Sequence, residues 1–123
     1  MQLSIHQFSV TSGWDTEADT TLDSPETLCL FFASPNNDEV SAALQSLQAT
    51  FADSIMFGCS SAGEIFNEEI NDDSVSLAIL RFDHTPIQLA VETVSDMTSS
   101  LEVGLNLANQ LRQEDLRAVM VLS

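Results

Sequence analysis

The first regular pattern along the chain is a continuous apolar run at residues 27–34, bounded by Pro25 and Pro35. Such a run is typical of a strand that is covered on both faces. A second apolar run, at residues 54–57, is separated from the first by a segment with helical spacing. Strand, helix and strand in this order predict a right-handed crossover and a parallel pair of strands.

The intervening segment begins with Asn36, and Glu39 follows three residues later, which predicts a capping pair at a helix start. Apolar residues then recur at intervals of three and four, as on one face of a helix. These residues are Val40, Ala43, Leu44, Leu47 and Phe51. The pattern therefore predicts an amphipathic helix that packs on the sheet.

Alternation with a period of two begins after residue 74 and predicts an antiparallel part of the sheet. Residues 75–82 alternate, residues 83–86 (DHTP) have turn composition, and residues 87–94 contain regularly spaced apolar positions. This order predicts a β-hairpin made of residues 75–82 and 87–94.

A second helix is predicted to begin at Ser99, because Ser99 and Glu102 have the spacing of a capping box. Its apolar face, expected to lie on the sheet, consists of Leu101, Leu105, Ala108 and Leu111. Residues 117–122 have the composition of a last strand, and polar residues 11–26 predict a loop or a short irregular helix. The predicted fold is α/β: a mixed sheet with a parallel β-α-β unit followed by an antiparallel β-hairpin, and two main helices packed on the sheet.

Length and charge limit the classes of function. A chain of 123 residues corresponds to one domain or part of one. With 19 acidic residues, three arginines and no lysine, its formal net charge is −16, which disfavours nucleic acids and anionic membranes as partners. A Walker-type phosphate loop requires a lysine and is excluded. The N-terminus has no signal-peptide pattern, and the longest apolar run, residues 28–33, is too short to span a bilayer, so we expect a cytoplasmic protein.

The segment FGCSSAGEI, residues 57–65, has the composition of a ligand-binding loop. It follows an apolar strand at the carboxyl edge of the predicted sheet, where ligands bind in open α/β proteins. Glycine allows the backbone to come close to a ligand, and short polar side chains add donors and acceptors. The candidate ligand-binding residues are Gly58, Cys59, Ser60, Ser61, Gly63 and Glu64.

This segment resembles a signature of FIST domains. The close match covers Gly58 to Ile65, and the order of elements agrees more loosely from Leu28 onward. The resemblance implies an intracellular, non-catalytic sensor domain for small ligands, with amino acids or related metabolites as candidates. It also implies partners: a C-terminal FIST region and a signalling protein such as a histidine kinase or a cyclic-dinucleotide enzyme.

Because the chain stops directly after its last predicted strand, we expect residues 1–123 to be a single domain, the N-terminal part of a FIST domain, truncated at its C-terminus. In the implied site, a ligand carboxylate meets backbone N–H groups of the Gly58–Gly63 loop. Glu64 meets the ligand's amine, or alternatively braces its own loop.

Some FIST-like proteins resemble haem-based nitric-oxide sensors, and His6 and His84 are the only histidines that could serve as axial ligands. The same two residues are the only bases for a hydrolase that would use Ser60 or Ser61, since the segment misses the G-x-S-x-G pattern. The sequence predicts neither a metal site nor a resident cofactor.

Three further features have an ordinary explanation beside a functional one. Cys59 is either a small residue that fills a turn or a nucleophile, and the acidic residues around it disfavour the second interpretation. The two cysteines, Cys29 and Cys59, are predicted to be reduced. Trp14 is a partial cover of the core or a stacking residue. The acidic residues at positions 64–73 form a solvated loop or a hard-cation site.

Overall fold

The computed structural model describes residues 1–122, with the exception of the Met97 side chain. Residues 1–87 form one compact unit and residues 88–122 a second. The strands are β1 (Gln2–Ser9), β2 (Gly13–Trp14), β3 (Thr27–Ala33), β4 (Ile55–Ser60), β5 (Glu64–Phe66), β6 (Glu69–Asn71) and β7 (Ser74–Arg81). The helices are α1 (Asp38–Thr50) and α2 (Ser100–Leu111), and 3₁₀ turns lie at Thr20–Leu22 and Met97–Ser99.

The predicted α/β class and mixed sheet are confirmed. Five strands pair in the order β2-β1-β7-β3-β4, and β5 and β6 form a separate antiparallel hairpin. The β3-α1-β4 unit has the predicted parallel pairing, with Leu28 opposite Ile55 and Ala33 opposite Ser60. β7 is antiparallel to both of its neighbours, β1 and β3.

The predicted strand at residues 87–94 is wrong, because this segment has no strand structure. The reason is topological: β1 and β3 already occupy the two edges of β7, so no edge remains for a hairpin partner. The antiparallel hairpin of this fold is instead β5–β6, whose two-residue connection contains Asn67 at φ 54°.

The last strand, predicted at residues 117–122, is also wrong, since this segment has no strand structure. Apolar composition alone does not create a strand, which needs a hydrogen-bonded neighbour. The polar segment 11–26 contains the short strand β2 and a 3₁₀ turn, in agreement with an irregular connection.

The cap of helix α1 is Asn37, one residue after the predicted cap, Asn36. The side chain of Asn37, and not that of Asn36, accepts hydrogen bonds from the N–H groups of Glu39 and Val40 at 3.0 and 3.2 Å. Asn36 has a φ of 58°, in the left-handed region that asparagine tolerates better than most residues. Glu39 therefore sits one position too early to complete a capping box.

The cap of the second helical segment also differs from the prediction. Asp96, not Ser99, is the capping acceptor, and it receives hydrogen bonds from the N–H groups of Thr98 and Ser99 at 2.8 and 2.9 Å. The hydrogen bond from the Thr98 hydroxyl, together with these two backbone bonds, lowers the pKa of the Asp96 carboxyl. The chain therefore enters α2 through a 3₁₀ turn.

The core lies between α1 and one face of the five-stranded sheet. It contains the predicted apolar stripe of α1 together with inward-facing residues of β3 and β7. The fully buried members are Cys29, Phe51, Val75 and Ile79. The β5–β6 hairpin lies on the other face, where the Ser76 hydroxyl donates to the Ile65 carbonyl oxygen at 2.8 Å.

Candidate functional site

The first part of the glycine- and serine-rich segment belongs to a strand. β4 continues three residues beyond Phe57, so Gly58, Cys59 and Ser60 pair with β3 and are not loop residues as the sequence suggested. The Ser61 N–H then donates to the Ala33 carbonyl oxygen at 3.0 Å and extends the parallel pairing by one bond. The turn itself is therefore short, from Ser61 to Gly63.

Gly58 is required by a close approach and not by a special backbone conformation. A Cβ atom at this position would overlap the Phe31 carbonyl oxygen and lie 2.6 Å from Cγ of the Phe31 ring. Phe31 is the direct partner of Gly58 in the β3–β4 pair. The glycine therefore lets an aromatic side chain cross the neighbouring strand next to the site.

Glu64, the first residue of β5, is the centre of the site and is fully buried. Its Oε2 accepts hydrogen bonds from the hydroxyl groups of Ser34 and Ser74 at 2.6 and 3.0 Å. Its Oε1 accepts one from the hydroxyl of Ser61 at 2.9 Å. Three chain segments thus meet at one carboxylate: the end of β3, the turn after β4 and the start of β7.

The three hydroxyl donors replace part of the hydration that Glu64 loses on burial. Removing a carboxylate from water costs several kcal/mol unless it is hydrogen-bonded, and short O–H···O⁻ bonds are among the strongest in proteins. Within residues 1–122, the N-terminus pairs with Asp83 and the His6 ring lies 3.9 Å from Asp15, so no charged donor is paired with Glu64. Glu64 is therefore held by neutral donors alone.

Ser34 and Ser74 are site residues that sequence reasoning missed. Ser34 had a usable signal, because it is the last residue of the apolar run 27–34, which was predicted to pair in parallel with the strand that ends at Phe57. Ser74 had none, since its place depends on the pairing of β7 with β3. The Ser74 N–H also donates to the Ser34 hydroxyl at 3.1 Å, which links the two serines directly.

The outer side of the turn is accessible. Ser60 and Ala62 are exposed, and Cys59, Ser61 and Gly63 are half-buried. Among the hydrogen bonds of residues 1–122, none involves the backbone N–H groups of Ala62 and Gly63. The turn therefore combines a rigid inner side with backbone donors that an incoming group could use.

The remaining acidic residues of this region are exposed. Glu68, Glu69, Asp72 and Asp73 lie on the surface of the hairpin and its exit, where water solvates them. Within residues 1–122, no group of three His, Cys, Asp or Glu side chains is placed to hold a metal ion. Glu64 thus differs from its acidic neighbours, because it is buried and hydrogen-bonded to serine hydroxyls whereas they face solvent.

Both cysteines are free thiols. Cys29 is fully buried, and burial, with the nearby negative charge of Asp23, raises the pKa of its thiol from 9.0 to about 11. Cys59 is half-buried at the edge strand β4. Cys59 is therefore the more accessible of the two.

In the part of the chain that the structure describes, neither histidine is hydrogen-bonded to Ser60 or Ser61. His6 is buried, and its ring nitrogens contact the hydroxyl groups of Thr16 and Ser4 at 2.8 and 3.1 Å. His84 is exposed. The Ser61 hydroxyl is instead bonded to Glu64.

In a comparison with protein families, the model of the FIST N domain matches residues 27–123, more than half of the chain. Comparisons with curated proteins and with solved structures find no match. In residues 1–122, no helix has both the length and the apolar character needed to cross a membrane.

Proposed function

The chain belongs to the FIST family of signal-transduction sensor domains, and on this basis we propose that residues 58–64 form the small-ligand site of a non-catalytic sensor module. Amino acids and related small carboxylates are the proposed ligands. The single observation that carries the proposal is the buried Glu64 carboxylate, held by three serine hydroxyls beneath an accessible turn.

A buried carboxylate is a costly way to hold a turn. Apolar residues of similar volume often stabilise a fold as well or better than buried charges do. Its presence here, next to the Ala62 and Gly63 N–H groups, which have no hydrogen-bond partner within residues 1–122, supports a role in recognition, because preorganised polar groups fix the orientation of a ligand. The position at the carboxyl ends of the parallel strands β3 and β4 agrees with this role.

The proposed contacts use two backbone donors of the turn and one carboxylate oxygen of Glu64. The ligand carboxylate accepts hydrogen bonds from the N–H groups of Ala62 and Gly63. A carboxylate offers about four acceptor positions, and serine hydroxyls occupy three of those of Glu64. The ligand's ammonium group takes Oε1, where it displaces the Ser61 hydroxyl.

Displacement of Ser61 would couple binding to a conformational change. The Ser61 N–H is tied to β3 while its hydroxyl is tied to Glu64, so this residue connects the sheet edge to the turn. A ligand that binds better to the rearranged turn shifts a two-state equilibrium. The proposed readers of that shift are a C-terminal FIST region and a signalling partner such as a histidine kinase or cyclic-dinucleotide enzyme.

A thermal-shift screen against the twenty standard L-amino acids, acetate and succinate tests the proposal. A ligand at 100 times its Kd adds about 2.7 kcal/mol, which raises the Tm of a domain of this size by several degrees. We expect a selective shift, and no shift with any of these compounds would contradict the proposal.

Isothermal titration of variants then locates the site. We expect Glu64→Gln to weaken the selected amino acid by more than tenfold, and Ser61→Ala, which removes the competing donor, to bind it at least as tightly as the wild type. Glu68→Gln, an exposed change with the same effect on net charge, is the matched control. Equal affinities of Glu64→Gln and Glu68→Gln would remove Glu64 from the site.

A further inference from the structure

A cavity of about 590 Å³ lies in residues 1–87, apart from the Glu64 site. Its walls come from the segment between β2 and the first 3₁₀ turn, from the second half of α1 and from β7. The lining residues that bear on its chemistry are Trp14, Asp15, Glu17, Leu47, Phe51 and Leu77. Its volume is within the range of sites that bind small organic molecules, about 300–1,000 Å³.

The floor of the cavity is apolar. Leu47, Phe51 and Leu77 are core residues with 6%, 0% and 3% of their surface exposed, so the cavity reaches down to the core. Trp14 forms part of the wall and packs on Phe8, with ring centroids 5.5 Å apart and an interplanar angle of 59°. This contact holds the indole in place beside the opening.

The rim is negatively charged. Asp15 and Glu17 line the cavity and are exposed, and the other polar lining groups are hydroxyls. His6 does not line the cavity, but its Nδ1 atom lies 3.9 Å from the Asp15 Oδ1 atom. The Asp15 Oδ1 atom accepts hydrogen bonds from the N–H groups of Gln7 and Thr16 at 3.0 and 2.8 Å, which fixes this carboxylate at the rim. An anionic ligand would be repelled here.

We propose that this cavity binds a small organic ammonium ion with an aromatic or aliphatic body. The body covers the floor formed by Leu47, Phe51 and Leu77. The ammonium group lies between Trp14 and the carboxylates of Asp15 and Glu17, because an indole and two carboxylates attract the same cation. This site shares no residue with the segment 58–64 and does not depend on the function proposed for it.

The chain provides its own probe. Trp14 is the only tryptophan and the chain has no tyrosine, so tryptophan emission reports on the wall of the cavity alone. Three compounds of similar size serve as ligands: 2-phenylethylamine, uncharged 2-phenylethanol and anionic phenylacetate. We expect a saturable change of emission with the amine, at least tenfold weaker binding of the alcohol and no binding of phenylacetate.

Two variants with the same change of net charge separate the cavity from general attraction by an acidic protein. Glu17 is exposed and lines the cavity, and Glu68 is exposed on the β5–β6 connection. We expect Glu17→Gln to weaken 2-phenylethylamine at least threefold and Glu68→Gln to leave it unchanged. Glu64→Gln should also leave it unchanged, which distinguishes this site from the one at residues 58–64.

Equal binding of the amine and the alcohol would overturn the inference, as would a failure of the amine to change Trp14 emission. Equal losses in Glu17→Gln and Glu68→Gln would show unspecific electrostatic attraction and would overturn it as well. Because Glu17 is exposed on a connecting segment, its replacement does not threaten folding. Circular dichroism of each variant confirms that the comparison is made between folded proteins.

Discussion

Two glutamates of this chain, Glu64 and Glu17, show how the same side chain takes opposite roles in two regions. Glu64 is fully buried and accepts hydrogen bonds from three serine hydroxyls at 2.6–3.0 Å. Glu17 is exposed at the rim of a cavity whose floor is apolar. The first carboxylate organises the protein around itself, whereas the second is free to meet a partner from solution.

The difference lies in the surroundings and not in the residue type. Around Glu64, polar donors converge from three strand ends, so that the carboxylate fixes the turn at residues 61–63. Glu17 lines its cavity together with buried core side chains such as Phe51, which offer contact area but no hydrogen bonds. A ligand that binds at the Glu64 segment should therefore change the local backbone structure. A ligand in the cavity beside Glu17 should occupy it without such a change.

The largest expected effect comes from removing the Glu64 carboxylate. Glu64→Ala removes the carboxylate acceptor of the half-buried Ser34 and Ser61 hydroxyls and leaves the buried Ser74 hydroxyl with the Asn71 carbonyl alone, at 3.2 Å. A buried polar group that loses its partner costs about 1–3 kcal/mol. We therefore expect the free energy of unfolding in urea to fall by about 3 kcal/mol. Glu17→Ala, its counterpart at the exposed rim, should change it by less than about 0.5 kcal/mol. Similar losses in both variants would contradict the comparison.

A second pair of variants tests how closely the strands approach beside the site. In Gly58→Ala, the new methyl group would collide with the backbone and ring of Phe31, and such overpacking costs about 1–3 kcal/mol. Gly104→Ala, in α2, meets nothing within 4 Å and should stabilise the helix by up to about 1 kcal/mol. We expect the denaturation midpoint to fall in Gly58→Ala and to rise in Gly104→Ala. An unchanged midpoint in Gly58→Ala would contradict the close approach of Phe31 to residue 58.

The cap of α1 gives a smaller effect near the same region. Asn37 accepts two backbone N–H bonds and donates from Nδ2 to Asp73 at 2.9 Å, next to Ser74. Asn37→Ala should lower the free energy of unfolding by about 1 kcal/mol. Asn36→Gly should raise it slightly, since Asn36 has a φ of 58°. If Asn36→Gly lowered the free energy of unfolding more than Asn37→Ala does, Asn36 would be the cap, as the sequence predicted.

The two thiols allow a comparison without a change of stability. At pH 7 a maleimide reagent should label Cys59 and leave Cys29 unmodified in the folded protein. Burial raises the pKa of the Cys29 thiol to about 11, so little reactive thiolate exists below that pH. Cys29 should react only when the protein unfolds or as the pH approaches 11. Equal labelling rates at pH 7, measured by mass spectrometry of the peptides, would contradict the buried position.

The sequence predicted the elements whose apolar pattern is complete within one continuous segment. The apolar run at residues 27–34 became β3, the helical stripe ending at Phe51 became α1, and alternation after residue 74 became β7. The parallel pairing followed from the connection through α1. Residues 87–94 were mistaken for a strand because the pattern cannot show that β1 and β3 occupy both edges of β7.

The site was predictable only in part. The composition of residues 58–64 identified Glu64, but its partners Ser34 and Ser74 are 30 and 10 residues away along the chain and meet it only through the sheet order. Similarly, nothing in the composition of residues 14–18 shows that they face Leu47 and Phe51 across a cavity. The sequence thus identified the segment 58–64, and only the sheet topology showed which side chains surround Glu64.

Backbone amide NMR of ¹⁵N-labelled protein, titrated with the amino acids and small carboxylates named above, tests the central claim most directly. The account predicts that at least one of these compounds perturbs amides at Ser60–Gly63 and Glu64, with saturable shifts that Glu64→Gln abolishes and Glu68→Gln preserves. Shifts confined to other residues, such as Trp14 and its neighbours, or no shifts with any compound, would contradict a ligand site in the Glu64 segment.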